Sequence, residues 1–142
     1  MILPQDLQHF PHPALIVESD TVRAKFWFAH ELELNLLDEI SMSRERKSDH
    51  ETQFVNVDTK SGSGPELLDD DRLLHFVKAV AKKIDALAAE HHAAHIDLIM
   101  SAEIMHRVEK QLPKARQTLV NLRAHHDLMH EDILQAIRSL FA

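Results

Sequence analysis

Apolar residues recur along this chain at two different periods, and the order of those periods restricts the fold class more than any single motif does. Ala14 to Val17 is a continuous apolar run, the pattern of a strand covered on both faces. Val22, Ala24, Phe26 and Phe28 then alternate with Arg23, Lys25 and Trp27, and Leu32, Leu34 and Leu36 alternate with Glu33 and Asn35. A period of two belongs to strands with one face covered. Turns at Ser19–Asp20 and His30–Glu31 would join the three runs into an antiparallel meander. From Leu73 the period changes. Leu73, Phe76, Val77, Val80, Ile84 and Leu87 recur at steps of three and four, so a helix reaching about Glu90 presents one apolar stripe. Asp69, Asp70 and Asp71 read as its cap and acidic first turn.

Ile96 to Met100 is a second fully covered strand, and the helix before it is long enough to return the chain parallel to the first strand. A short helix near Glu103 to Leu112 follows, with Met105, Val108 and Leu112 inward. A strand near Gln117 to Arg123 comes next, then a last helix carrying Ile133, Leu134, Ile137, Leu140 and Phe141 at helical spacing. The pattern predicts an α/β fold on a mixed five-stranded sheet, in the order β-β-β-α-β-α-β-α. Trp27 points to the sheet face opposite Phe26 and Phe28, where a packing role is expected.

Composition narrows the chemistry. The chain has 142 residues and no cysteine, which excludes disulfides, thiolate nucleophiles, Cys-ligated zinc and iron-sulfur clusters. A single domain over 1–142 buries roughly two thirds of its unfolded surface and needs no structural metal; no cofactor is expected. No apolar run is long enough to span a membrane and the first residues lack the order of a secretory signal, so a cytoplasmic location is expected. The formal net charge is −7, the wrong sign for strong nonspecific nucleic-acid binding, so any such contact must be a local patch. Protonation of the 12 histidines would reverse that sign, making charge and solubility steep functions of mild acidity.

Between Ser41 and Asp71 the periodicity dissolves into polar residues and the chain's only glycines, Gly62 and Gly64. One short strand is possible at Gln53 to Val57. A connection this long is usually functional or disordered, and the segment is expected to be a flexible binding loop, with Arg44, Arg46, Lys47, Lys60, Gly62 and Gly64 as its contact residues.

The order of elements matches the ribonuclease-H-like layout. A nuclease on that layout needs carboxylates converging at the ends of its central strands to hold two divalent metals. The candidates are Glu18, Asp20, Glu103, Asp127 and Asp132, each of which also has a plain reading as a turn former or helix cap. His91 with His95 and His126 with His130 have the four-residue separation of a helical metal pair. Each pair straddles a helix end, where His also complements the helix dipole, so both are weak metal candidates. Gly62-Ser63-Gly64 lacks the length and Lys-Ser/Thr ending of a phosphate loop, and no Gly-x-Ser-x-Gly elbow occurs.

Three stretches carry a resemblance to a known family. They are Pro13 to Ile40, with ValArgAlaLysPheTrpPhe at 22 to 28; Arg72 to Leu112, with Ile96-Asp97-Leu98-Ile99-Met100 and Arg107; and Asp127-Leu128 with His130 to Ile137. Together they resemble the bacterial host-attachment family, proteins required for attachment to host cells and related to the middle domain of archaeal and eukaryotic peptide-chain release factors. The chain departs from that pattern at Ser101 to His106, which has neither the family's Pro nor its Leu-Gly step. It also lacks the Gly-Gly-Gln tripeptide of true release factors, Gly62-Ser63-Gly64-Pro65-Glu66 having no glutamine. The resemblance implies a noncatalytic binding module with a macromolecular partner such as the ribosome or transfer RNA; the alternatives are the metal-dependent nuclease and a His-rich metal-binding protein.

Overall fold

The computed structural model describes residues 1–42, 65–126 and 132–141. Among these residues five strands form one sheet: β1 (Phe10–Ser19), β2 (Arg23–Glu31), β3 (Glu33–Ser41), β4 (His95–Met100) and β5 (Val120–His125). Four α-helices accompany them: α1 (Pro65–His91), α2 (Ala102–Gln111), α3 (Lys114–Gln117) and α4 (Ile133–Leu140), with a 3-10 turn at Gln5–Leu7. The strand order is β3-β2-β1-β4-β5. β1 pairs antiparallel with β2, and β2 with β3, as a meander requires. β1 pairs parallel with β4, and β4 with β5, each return made by a helical crossover. No helix among the described residues is long and apolar enough to cross a membrane.

Alternation along the strands divides the core between the two sheet faces. Leu15, Val17, Ala24, Phe26, Leu98 and Met100 meet Phe76, Val77, Val80 and Ile84 of α1 and Ile104, Met105 and Val108 of α2. The residues between them in sequence, Ala14, Ile16, Ala29 and Ile99, meet Ile133, Ala136 and Ile137 of α4 on the other face. Each fully buried Val, Leu, Ile, Phe or Met among them contributes roughly 1.5–3 kcal/mol, so the two helical layers anchor the central strands firmly. Trp27 packs with the second group, on the face opposite Phe26, although its indole N–H finds no hydrogen-bond partner among the described residues.

Several expectations need correction. α1 starts at Pro65, a residue suited to a first helical position because its missing N–H would be unpaired there anyway; Asp69 to Asp71 therefore lie past the first turn and do not cap it. The polar segment read as a loop from 41 to 71 is shortened at its end by the same helix, and the possible strand at Gln53 to Val57 lies outside the described residues. The strand expected near Gln117 begins only at Val120, because Pro113 opens the short helix α3 and the Gln117 side chain donates to the carbonyls of Glu109 and Leu112 at 3.0 and 2.9 Å. Leu36 is exposed while Leu34 is buried, although both share one face of β3 in unbroken register with Trp27 and Ala29; β3 is an edge strand, and the N-terminal leader pairs beside it at Glu33 and Leu34. The N-terminal leader is also part of the core: Leu3, Leu7 and Phe10 are buried beneath α4, and Arg138 of α4 bonds Asp6 at 3.1 Å.

α1 ends in a Schellman motif. Ala93 N–H bonds the Ala88 carbonyl at 3.0 Å and His92 takes a positive φ of 55°, the left-handed position usually given to glycine.

Candidate functional site

Three of the candidate carboxylates take up separate local tasks. Asp20 accepts from the amides of Val22 at 2.8 Å and Arg23 at 2.7 Å, shaping the β1–β2 turn. Glu103 pairs with Arg107 one helical turn on, at 3.2 Å. Asp132 caps α4 by accepting from Leu134 N–H at 3.0 Å. Glu18 is buried at the end of β1, on the α4 side of the sheet by its alternation with Ile16. Asp127 lies outside the described residues. Among the described residues no group of three or more His, Cys, Asp and Glu side chains is placed to hold a metal ion.

The histidines disperse in the same way. His91 sits over Phe28 of β2, ring centroids 5.2 Å apart, whereas His95 opens β4 and meets His12 at 6.1 Å. The helix ends between them, so the four-residue spacing does not place them on one helical face. His126 closes the end of the β4–β5 ladder, its amide bonding the Met100 carbonyl at 3.1 Å. His130, Arg44, Arg46, Lys47, Lys60, Gly62 and Gly64 lie outside the described residues.

A carboxylate that sequence reasoning passed over is the most constrained. Asp97 is only 1% exposed in the middle of β4. The β4–β5 register shifts between Ile96 and Leu98, leaving one more residue on β5 than on β4, and the Asp97 carboxylate accepts from Leu122 N–H at 3.0 Å. Its side chain replaces the ladder partner that the bulge removes. Burial pushes its pKa up to about 6, against opposing effects from the Leu122 hydrogen bond and His95. A charged residue type inside an otherwise apolar strand is the signal by which it could have been found.

The described surface also holds a hollow of about 330 Å³ between α2 and β5. Ala102, His106, Glu109 and Lys110 line one wall, and Arg123 and His125 the other, with Met105 beneath. Residues 102, 105, 106, 109 and 110 follow helical spacing and so share one face of α2, while 123 and 125 share one face of β5. Glu109 and Arg123 tie the walls together through paired bonds of 3.0 and 3.1 Å, which hold the guanidinium pKa above its usual value. The chain leaves β4 into α2 on one face of the sheet and leaves β5 for α4 on the opposite face. The hollow thus lies against β5, an edge strand of the sheet, on the face that α2 covers. The i, i+4 pair His106–Lys110 and the alternating pair Arg123–His125 were its only traces in the sequence.

No family model and no curated protein matches the chain. Among solved structures it is similar to an archaeal translation termination factor, aRF1, with a TM-score of 0.53 and 12% identity over 89% of this chain and 37% of that one. A second archaeal protein aligns with a TM-score of 0.51 and 10% identity over 91% of this chain and 36% of the other. The chain therefore spans little more than a third of the length of either, and the likeness is one of fold.

Proposed function

We propose that the chain is a noncatalytic binding module, one domain over residues 1–142, that engages the translation machinery through RNA. The observation that carries this reading is the fold shared with the archaeal termination factor across nearly the whole of this chain. The local structural duties of Asp20, Glu103 and Asp132 favour recognition over metal-assisted cleavage. The Gly-Gly-Gln tripeptide is also missing from the sequence. The resemblance to the host-attachment family fits the same reading, because attachment too asks such a domain for recognition and not for bond breaking. A cytoplasmic location follows from a ribosomal partner. The segment between β3 and α1, with Arg44, Arg46, Lys47, Lys60, Gly62 and Gly64, is proposed as an adaptable second contact.

Labelled transfer RNA and ribosomal RNA fragments incubated with the protein and Mg²⁺ or Mn²⁺ test it. They should be retarded on a native gel and recovered uncut on a denaturing one. Cleavage that the Glu103→Gln variant abolishes would establish the nuclease reading instead.

A further inference from the structure

We propose that the hollow between α2 and β5 is the site at which this protein grips an RNA phosphate backbone, an assignment that rests on the reading just given. Two rows of side chains frame it. His106 and Lys110 stand one helical turn apart on α2, with Cβ atoms about 5–6 Å apart. Arg123 and His125 stand two residues apart on β5, a spacing of about 7 Å.

All four are hydrogen-bond donors suited to phosphate oxygens: an ammonium, a guanidinium and two imidazoles, which offer an N–H in either protonation state. Among the described residues the one carboxylate lining the hollow is Glu109, which is already occupied by Arg123. Its bidentate hold fixes the guanidinium plane and leaves an N–H edge free, since the group has five donors. Lys110, His106 and His125 are exposed.

Charge complementarity sets the ligand class. Lys110 and Arg123 against Glu109 leave this lining a net charge of +1 apart from its histidines, in a chain of net charge −7; such a local excess is what a polyanion needs and what nonspecific attraction could not supply. The site is open and its rim polar, with Met105 the one large apolar side chain that lines it among the described residues. It suits a backbone passing through better than an enclosed small molecule, or an apolar peptide needing pockets.

The test is fluorescence anisotropy with a short labelled oligouridine RNA, titrated with the full chain across rising salt. Lys110→Glu is compared with Lys78→Glu, an identical charge change on the exposed side of α1, and with His106→Ala/His125→Ala. Thermal unfolding verifies that every variant is folded. The groove variants should bind about tenfold more weakly at low salt, and the slope of log K against log salt should fall by about 0.7 for each phosphate that the variant no longer neutralises. Lys78→Glu should bind as the wild type does. If Lys110→Glu and Lys78→Glu have equal effects while the wild type binds RNA, the groove assignment is wrong and the RNA reading survives. If the wild type binds no RNA, that reading fails with it. Groove-dependent binding of an acidic peptide in place of RNA would likewise overturn the assignment.

Discussion

Asp97 on β4 reaches across to β5 and holds the Leu122 amide at 3.0 Å, so a carboxylate stands in for a strand at the one irregular point of the parallel β4–β5 ladder. This interaction sets a pH dependence. The folded-state pKa of about 6 lies above the ordinary value of 3.8, so between those values the folded protein holds a proton that the unfolded chain has released. The group's contribution is therefore most favourable below pH 3.8. It falls as pH rises to about 6 and is constant above, a total change of about 3 kcal/mol. Asp97→Asn keeps an acceptor for Leu122 and removes the ionisation. Urea unfolding should show the variant gaining on the wild type as pH rises from about 4 to about 6, with a parallel trend contradicting the shift.

His92 occupies a left-handed position, φ 55°, at the end of α1. A side chain with a Cβ is strained there by about 1 kcal/mol, and glycine is not. His92→Gly should raise the stability by roughly that amount in denaturant unfolding, with no change in RNA affinity because the residue is remote from the α2–β5 hollow.

Glu109 and Arg123 form an ion pair at the protein surface, and such pairs typically add less than about 1 kcal/mol. Glu109→Gln should cost no more than that in thermal unfolding. It also removes the one negative charge that the described residues place in the hollow, so RNA should bind several-fold more tightly by anisotropy. Weaker binding would show that orienting Arg123 matters more than the charge of the site.

The parts of this fold that burial controls could be read from the sequence. The alternation of Ala24, Phe26 and Phe28 and the stripe from Phe76 to Leu87 exist because a sheet face and a helix face must each meet apolar neighbours. The parallel return of β4 followed from the length of the helix before it. The parts set by tertiary register could not be read so. Leu36 has the spacing of a core residue, yet it is exposed on an edge strand while Leu34, on the same face, is buried beside the N-terminal leader. Leu3 and Leu7 belong to no periodic run, yet α4 covers them. The hollow combines α2 and β5 side chains whose proximity depends on the turn through α3, itself replacing the start of an expected strand. Asp97 was visible as a charge in an apolar run, but its partner was not, because a bulge leaves no mark on local pattern.

Co-sedimentation with purified ribosomes in Mg²⁺ tests the central claim most directly. The wild-type chain should travel with the ribosomal fraction, leave its RNA intact, and be released by Lys110→Glu and by high salt. A chain that stays at the top of the gradient at low salt, or ribosomal RNA cut in its presence, would contradict a recognition module of the translation machinery.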